Sequence, residues 1–366
     1  MSIALADEQV DWAAALQERA VARLAAIPVN ERDAARSGPK DPGTHRRLFD
    51  RFEALREIEI GGSAPRRATV AGPARILCWN VERMRHLDDV ETALRRERAD
   101  LALLSEVDRG MARSGNRDCI AELSLRLGQS YAYALEFFEL DLGDAREKRE
   151  HEGEINLEGF HGAALLGDAA LRRPFLIRID SGGDWFDGSR GEPRVGGTIA
   201  LGAQIIVDGI AVTVVNVHLE SHGDPEERAG DMRRLLRLVD AYDAAAPVIL
   251  GGDFNTSGVT RADRRDGRQP WLERMRRQPH LLVRPQEAEP LFTELAEAGY
   301  DWQACNIPDA PTTRYAGERA GQPRTKLDWF FTRHLVAEDP RIIPAVRPDG
   351  SPSSDHDALA VSIRPR

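Results

Sequence analysis

The chain has 366 residues, enough for one large domain or two ordinary ones and for a substantial buried core. Hydrophobic residues make up 42% and charged residues 30%, the balance of a soluble globular protein, and no apolar stretch is long enough to span a bilayer. A formal net charge of −10 argues against a broad nucleic-acid-binding surface, which normally leaves a basic footprint, although metal ions and local patches can override the sum.

In chain order, residues 1–8 lack a basic region followed by an apolar one, which argues against a secretory signal. Residues 10–26 and 45–58 read as helices, with Ala14, Leu16, Ala20 and Leu24, then Leu48, Phe52 and Leu55, marking apolar faces. Residues 30–43 are charged and contain Gly38-Pro39 and Pro42-Gly43, so they read as a loop. Two short helices bury little surface alone. Residues 1–70 are therefore expected to be a packed helical extension on a domain spanning 71–366, with Gly61-Gly62-Ser63-Ala64-Pro65 between them.

A strand over 76–80 precedes a helix that starts at Asp88-Asp89-Val90-Glu91, with acids at the N-cap and N3 positions. A strand over 101–105 and a helix over 120–127, closed by Gly128, follow. The acidic stretch 134–162 reads as a surface loop. Residues 197–207 and 210–219 flank Asp208-Gly209, a hairpin signal. Residues 225–240 carry Met232, Leu235, Leu236 and Val239 at helical spacing before a strand into Gly251-Gly252. Between 261 and 277 stand seven arginines, interleaved with Asp263, Asp266 and Glu273. The chain is arginine-rich throughout, with Lys40, Lys148 and Lys326 its only lysines, so this segment reads as a solvated loop and helix in preference to a phosphate-facing one. This mixture of strands, hairpin and helices excludes a simple doubly wound parallel sheet. Cys78, Cys119 and Cys305 are too few and too scattered for a disulfide frame; Cys78 reads as a core thiol, and a cytoplasmic location fits.

The most informative run is Val248-Ile249-Leu250-Gly251-Gly252-Asp253-Phe254-Asn255-Thr256. In extended backbone, residues i and i+2 point the same way, so Asp253 and Asn255 emerge together from the end of a buried strand. An Asx-rich turn is the bland alternative. Five further apolar runs carry a carboxylate, amide or imidazole at one end: Asn80 and Glu82, Glu106, Asn216 and His218, Asp328, and Asp355-His356. Any one of these is weak, and a lone histidine at a strand end is usually structural. Six in one chain suggest strand ends converging on a single site.

The motifs WNVE, LLSE, NVHLES, GGDFN, LDWFF and SDH, in this order from about Arg75 to the C-terminus, resemble the endonuclease/exonuclease/phosphatase superfamily. Its members include deoxyribonuclease I, apurinic endonucleases, neutral sphingomyelinases and inositol-polyphosphate 5-phosphatases. The resemblance implies an α/β fold of the α+β type, a four-layer sandwich of two mixed β-sheets flanked by helices. One departure is clear: the strand after Gly159-Phe160-His161-Gly162 ends in Gly167-Asp168 where the family usually has serine-arginine, which leaves the substrate open.

The resemblance also implies roles. Mg²⁺, with Mn²⁺ or Ca²⁺ as alternatives, would be held chiefly by Glu106, with Asn80, Glu82 and Asp355 around it. His356, oriented by Asp328, would take a proton from water or hydrogen-bond the scissile phosphate. Asp253 and Asn255 would position the nucleophile and hold the oxyanion, and His218 would serve a phosphate oxygen or the leaving group. No HExxH, paired CxxC or P-loop competes. The expected activity is a Mg²⁺-dependent phosphoesterase that hydrolyses a phosphodiester or phosphomonoester by metal-assisted attack of water, with a DNA or RNA endonuclease or exonuclease as the alternative. A lipid substrate would call for an apolar patch or basic amphipathic helix, and neither stands out. An inactive scaffold would be expected to have lost a metal or histidine position, and all are present. The expected partner is a phosphate-ester substrate, nucleic acid included; nothing points to a protein partner.

Overall fold

The computed structural model describes residues 15–180 and 183–366. Its strands form two sheets. In the first, β1 (Leu16–Gln17), β8 (Arg172–Arg178), β10 (Ile199–Val207), β11 (Ile210–His218), β12 (Val248–Asp253) and β13 (Asp328–Arg333) lie side by side in that order. In the second the order is β14 (Leu335–Ile343), β15 (Ala358–Pro365), β4 (Ala74–Asn80), β5 (Leu101–Arg109), β7 (Phe160–Gly167), β6 (Ser130–Glu139), β3 (Ile58–Gly62) and β2 (Ala20–Val21). A short β9 (Arg194–Gly196) pairs with β6. The pairs β11–β12, β4–β5 and β2–β3 are parallel, so both sheets are mixed.

The period of two along each strand builds the layers. Ile76 and Cys78 of β4, Leu101 and Leu103 of β5, Val212 and Val214 of β11, Ile249 of β12 and Phe330 of β13 share one core between the sheets. The intervening residues Leu77, Trp79, Ala102 and Leu104 face the other way, against the helices Leu87–Glu97 and Cys119–Leu127. Val215, Val217, Val248, Leu250 and Phe331 likewise pack on the helices Pro225–Asp243 and Leu291–Glu297. The result is the expected α/β four-layer sandwich of two mixed sheets flanked by helices. Asp208 and Gly209 join β10 to β11 with φ of 49° and 83°, as the hairpin signal requires.

Several local readings change. The helix read over 10–26 falls partly on residues 1–14, outside the described residues; from Leu16 onward the chain instead forms β1 and β2. These two-residue strands pair with β8 and β3, at the edges of the two sheets, and that tertiary pairing overrides the helix-favouring Ala, Leu and Arg composition. The segment read as a helical extension thus also contributes strands to both sheets. The loop read over 30–43 is largely helical, with Val29–Ser37 and then Pro42–Arg51, the latter capped by the Asp41 side chain. Gly38-Pro39 separates the two helices and Pro42 opens the second, so these residues mark helix boundaries in place of one loop. The acidic stretch read as a surface loop begins inside β6, a strand buried along its whole length.

The two glycines at the end of β12 are dictated by space. A Cβ on Gly251 would lie 2.6 Å from the Phe330 ring, and one on Gly252, whose φ is 145°, would lie 2.0 Å from the Val217 carbonyl oxygen. Gly252→Ala is expected to cost about 2 kcal/mol or more in urea unfolding, from backbone strain together with collision against β11. A variant within 0.5 kcal/mol of wild type, a margin of roughly the size typical of surface substitutions, would refute this account.

Candidate active site

At one rim of the sandwich the inward-facing apolar stripes run out and polar residues take over. Asn80 ends β4 on the face of Ile76 and Cys78, and Asp253 ends β12 on the face of Ile249. His218 ends β11 on the face of Val214 and Asn216, while Asp328 begins β13 on the face of Phe330. Glu106 arrives differently. The pairing of β5 with β7 slips between Leu104 and Val107, and Glu106 in this bulge has a φ of 57°, which turns its carboxylate to the rim. Loop 353–357 is fastened alongside: Ser354 Oγ donates to the Asn80 carbonyl at 2.7 Å, and Trp79 Nε1 donates to the His356 carbonyl at 2.8 Å.

The centre of the cluster is Asp253 Oδ2. It accepts from Asn80 Nδ2 at 3.1 Å and lies 3.6 Å from His356 Nε2 and 3.9 Å from His218 Nε2. Each imidazole is clasped through its other nitrogen: His356 Nδ1 donates to Asp328 Oδ2 at 2.8 Å, and His218 Nδ1 to Glu136 Oε2 at 3.0 Å. Thr312 Oγ1 donates to the same Asp328 oxygen at 2.6 Å, whereas Asp328 Oδ1 is buried without a partner. Asn255, at a φ of 50°, donates its side-chain amide to the Leu219 carbonyl at 2.7 Å, and its backbone N–H to Asp253 Oδ1 at 2.9 Å. An Asx-type turn and a site position therefore coincide here.

Charge follows from this geometry. Burial disfavours the His218 cation, but Glu136, then Asp253 and Glu106, outweigh it and raise its pKa to about 10. For His356, burial is likewise overridden by Asp328, Asp253 and Asp355, which lift it well above the ordinary imidazole value. Asp253 moves up to about 6, because burial and the nearby Asp328 oppose ionisation more than the two imidazoles favour it. Two charged donors thus flank a carboxylate poised near neutrality.

Asn80 Nδ2 also donates to Glu106 Oε1 at 3.0 Å, and the Asp355 N–H to Glu82 Oε2 at 3.0 Å, so the expected metal-holding residues form two neighbouring pairs. Burial, then Asp355, pushes the Glu82 carboxyl up, with Glu106 adding to the effect. Oxygen donors with repelling acid charge fit a hard divalent cation. Glu82, Glu106 and Asp355 stand further apart than Asp253, Asp328 and His356, whose ligating atoms lie within 4.8 Å of one another. Since His356 Nδ1 and Asp328 are already engaged with each other, that tighter trio suits an oriented imidazole better than a Mg²⁺ site. A second acidic trio, Asp144, Glu147 and Glu192, is neutralised at Glu147 by Arg83, Arg85 and Arg113.

The cleft therefore gathers Asn80, Glu82, Glu106, His218, Asp253, Asn255, Asp328, Asp355 and His356 at one rim. It also contains groups that sequence reasoning did not single out. Glu136 and Asp108 hold His218 and His161; Asp108 Oδ1 lies 2.7 Å from His161 Nδ1. A lone acid in an otherwise apolar strand, as in Ala134-Leu135-Glu136-Phe137-Phe138, was the available signal, because such an acid must find a partner. Arg83 Nη1 donates to Glu106 Oε2 at 3.1 Å and is reached only through three successive positive φ values at Glu82, Arg83 and Met84. Burial opposes a low pKa at Glu106, but Arg83, then His161 and His218, hold it below the carboxylate range. Arg264 and Arg268, read as solvated, line the same cleft.

The sequence profile of the endonuclease/exonuclease/phosphatase family matches residues 77–356. No curated protein matches the chain. Among solved structures, an endonuclease/exonuclease/phosphatase from Beutenbergia cavernae superposes with a TM-score of 0.52 at 18% identity, covering 80% of this chain and 71% of that one. A Leptotrichia buccalis member of the same family gives 0.51 at 13% identity, covering 80% and 99%. The human Nocturnin catalytic domain, solved with a bound sulfate anion, gives 0.51 at 17% identity, covering 81% and 94%. At these identities the likeness concerns the fold.

The Glu136–His218 pair yields a direct test. Glu136→Gln removes the carboxylate that favours the imidazolium, so the His218 titration followed by NMR should fall from about 10 by about one unit or more. Because the folded value is raised, the stabilisation from this pair is complete below the unfolded histidine value of about 6.5 and is lost as pH rises through about 10. The wild-type excess in stability over Glu136→Gln should shrink along that same interval. An unmoved His218 titration would rule out the pairing.

Proposed function

The chain belongs to the endonuclease/exonuclease/phosphatase family, a family of phosphate-ester hydrolases, and on that premise we propose that it is a Mg²⁺-dependent phosphoesterase that activates water for attack on a phosphodiester or phosphomonoester. The observation that carries this reading is the meeting of both imidazoles on one carboxylate oxygen: His356 Nε2 and His218 Nε2 lie 3.6 and 3.9 Å from Asp253 Oδ2.

The family is divalent-metal dependent, and the oxygen donors of Asn80, Glu82, Glu106 and Asp355 are the residues that would hold the ion. A bound divalent cation supplies charge neutralisation at a phosphoryl oxygen. The remaining work falls to this chain's own side chains. Asp253, with a pKa of about 6, takes the proton from the attacking water. His356 is held cationic, so it serves as a charged donor to a non-bridging phosphate oxygen; of its two expected roles this suits its charge better than proton abstraction. Asp328 and Thr312 fix its ring. His218, cationic through Glu136, donates to the phosphate or protonates the leaving oxygen. Asn255 keeps the Asp253 loop against the segment after His218 through its bond to Leu219.

The three cysteines are free and buried, which supports the cytoplasmic reading. No helix among the described residues is long and apolar enough to cross a membrane.

Hydrolysis of bis(p-nitrophenyl) phosphate and p-nitrophenyl phosphate under Mg²⁺ titration tests the proposal, and turnover of either also excludes an inactive scaffold. Glu106→Gln should raise the Mg²⁺ concentration needed for half-maximal rate while leaving the thermal transition in place; an unchanged requirement removes Glu106 from the ion. His356→Ala should lower the rate by roughly a hundredfold or more, the scale of losing one donor to a transition-state oxygen. Asp328→Asn should reproduce much of that loss, and the double variant should be little worse than His356→Ala, since both changes disable one unit. A rate for His356→Ala within a few-fold of wild type would end this mechanism.

A further inference from the structure

The arginine-rich segment places two cations in the cleft that the chemistry above does not use. Helix Arg261–Arg265 carries Arg264, and Arg268 stands at the N-cap of helix Gln269–Arg277; both side chains line the same cleft as His218 and Asp253. Arg264 Nη2 donates to the Ser221 carbonyl, and its Nε is buried without a partner. Among the described residues, neither arginine forms an ion pair. Their neighbours do: Arg190 with Asp184 at 2.6 Å, Arg228 with Glu289 at 2.5 Å, and Arg274 with Asp263 at 2.9 Å. Asp263, the nearest acid on the helix of Arg264, is thus committed to Arg274 and to capping Thr260.

The pair is also held in register with the catalytic loops. Trp271 Nε1 donates to the Ser257 carbonyl and Arg274 Nη2 to the Gly258 carbonyl, both at 2.9 Å, which fastens this segment to the loop after Asn255. Arg264 and Asn255 grip the same stretch beyond His218, through Ser221 and Leu219.

We infer that Arg264 and Arg268 form a subsite for a second phosphate group of the substrate, on the His218 side of the scissile phosphate. This rests on the phosphoesterase reading and deepens it. Two unpaired guanidiniums are stable side by side when an anion joins them, and a phosphate satisfies several N–H donors at once. The charge state of the surroundings agrees. Burial, then Arg268 and Arg228, bring Arg264 down to about 10 against the opposing pull of Glu220 and Asp224, and burial, then Arg264, brings His222 to about 4 against Glu220, so the neighbouring arginines outweigh the nearby acids at both groups. The cleft volume of about 310 Å³ suits a small molecule, at the lower end of ligand pockets. The substrate class is therefore a small compound that carries at least two phosphate groups.

Equilibrium binding to the full chain in EDTA tests this apart from turnover, with adenosine 3′,5′-bisphosphate and the two adenosine monophosphates as probes. The wild-type chain should prefer the bisphosphate by roughly tenfold or more, the scale of charge-assisted hydrogen bonds. Arg264→Gln/Arg268→Gln should erase that preference, and Arg265→Gln, on the same helix, should keep it. Arg268→Gln alone changes an exposed residue and should lose part of the preference even if the double variant folds poorly. No preference in wild type, or a preference that survives both changes, overturns the subsite. An octanucleotide that binds more than tenfold tighter than the bisphosphate, with loss in the double variant, would assign the second phosphate to a polymer backbone and overturn the small-substrate class. If hydrolysis with Mg²⁺ fails while the bisphosphate preference stands, only the catalytic reading falls.

Discussion

Burying carboxylates where an apolar inter-sheet core comes to its end is costly unless each finds a donor or a cation. Asp253, Asp328, Glu136 and Glu106 all sit in that position. Each is met by a specific group: Asn80, His356 with Thr312, His218, and Arg83. Neutralising Glu136 and Asp328 requires imidazoles held by Nδ1, and that same bond leaves Nε2 directed toward Asp253. The requirement that the rim be electrostatically tolerable and the requirement that two donors converge on one oxygen are met by the same contacts. Losing one partner of the buried Asp328–His356 pair leaves an uncompensated charge, which typically costs about 3–5 kcal/mol, whereas Glu106 and Arg83 are both partly exposed and their pair contributes less.

The cleft is also mixed in charge. Glu106, Asp253 and Asp355 line it together with Arg264 and Arg268, so a net charge of −10 does not make this cleft uniformly acidic. The imidazoles of His218 and His356, whose pKa values are raised by the acids around them, add positive charge beside Asp253.

Much of this was legible in the sequence because strands were read by their period of two. Asn80, His218 and Asp253 terminate inward-facing stripes, and the apolar residues before them fix both strand and face. Asp328 announced itself by preceding its run. The partners were harder to see. Glu136 and Asp108 lie within strands, and only tertiary packing decides which histidine each meets. Arg83 is placed by an unusual backbone path that no local preference suggests. The N-terminal strands were misread because Leu16–Gln17 and Ala20–Val21 are too short to show alternation, and their pairing comes from residues far along the chain, Ile177 and Ile58 among them. The Arg264 and Arg268 pair was hidden by composition: in a chain this rich in arginine, two more carry no signal until their lack of a counter-charge is seen.

Within six residues, from Leu16 to Val21, the chain crosses from an edge strand of one sheet to an edge strand of the other. It is a clasp over the open side of the sandwich, and it lies wholly before residue 77, where the family match begins. A shortened protein cut at that point would keep every residue of the cleft. It would also lose β3 and bare the flanks of β8 and β6, whose unpaired N–H and C=O groups are templates for strand addition. The part of the chain that looks dispensable for chemistry is the part that pairs with and covers the edges of β8 and β6.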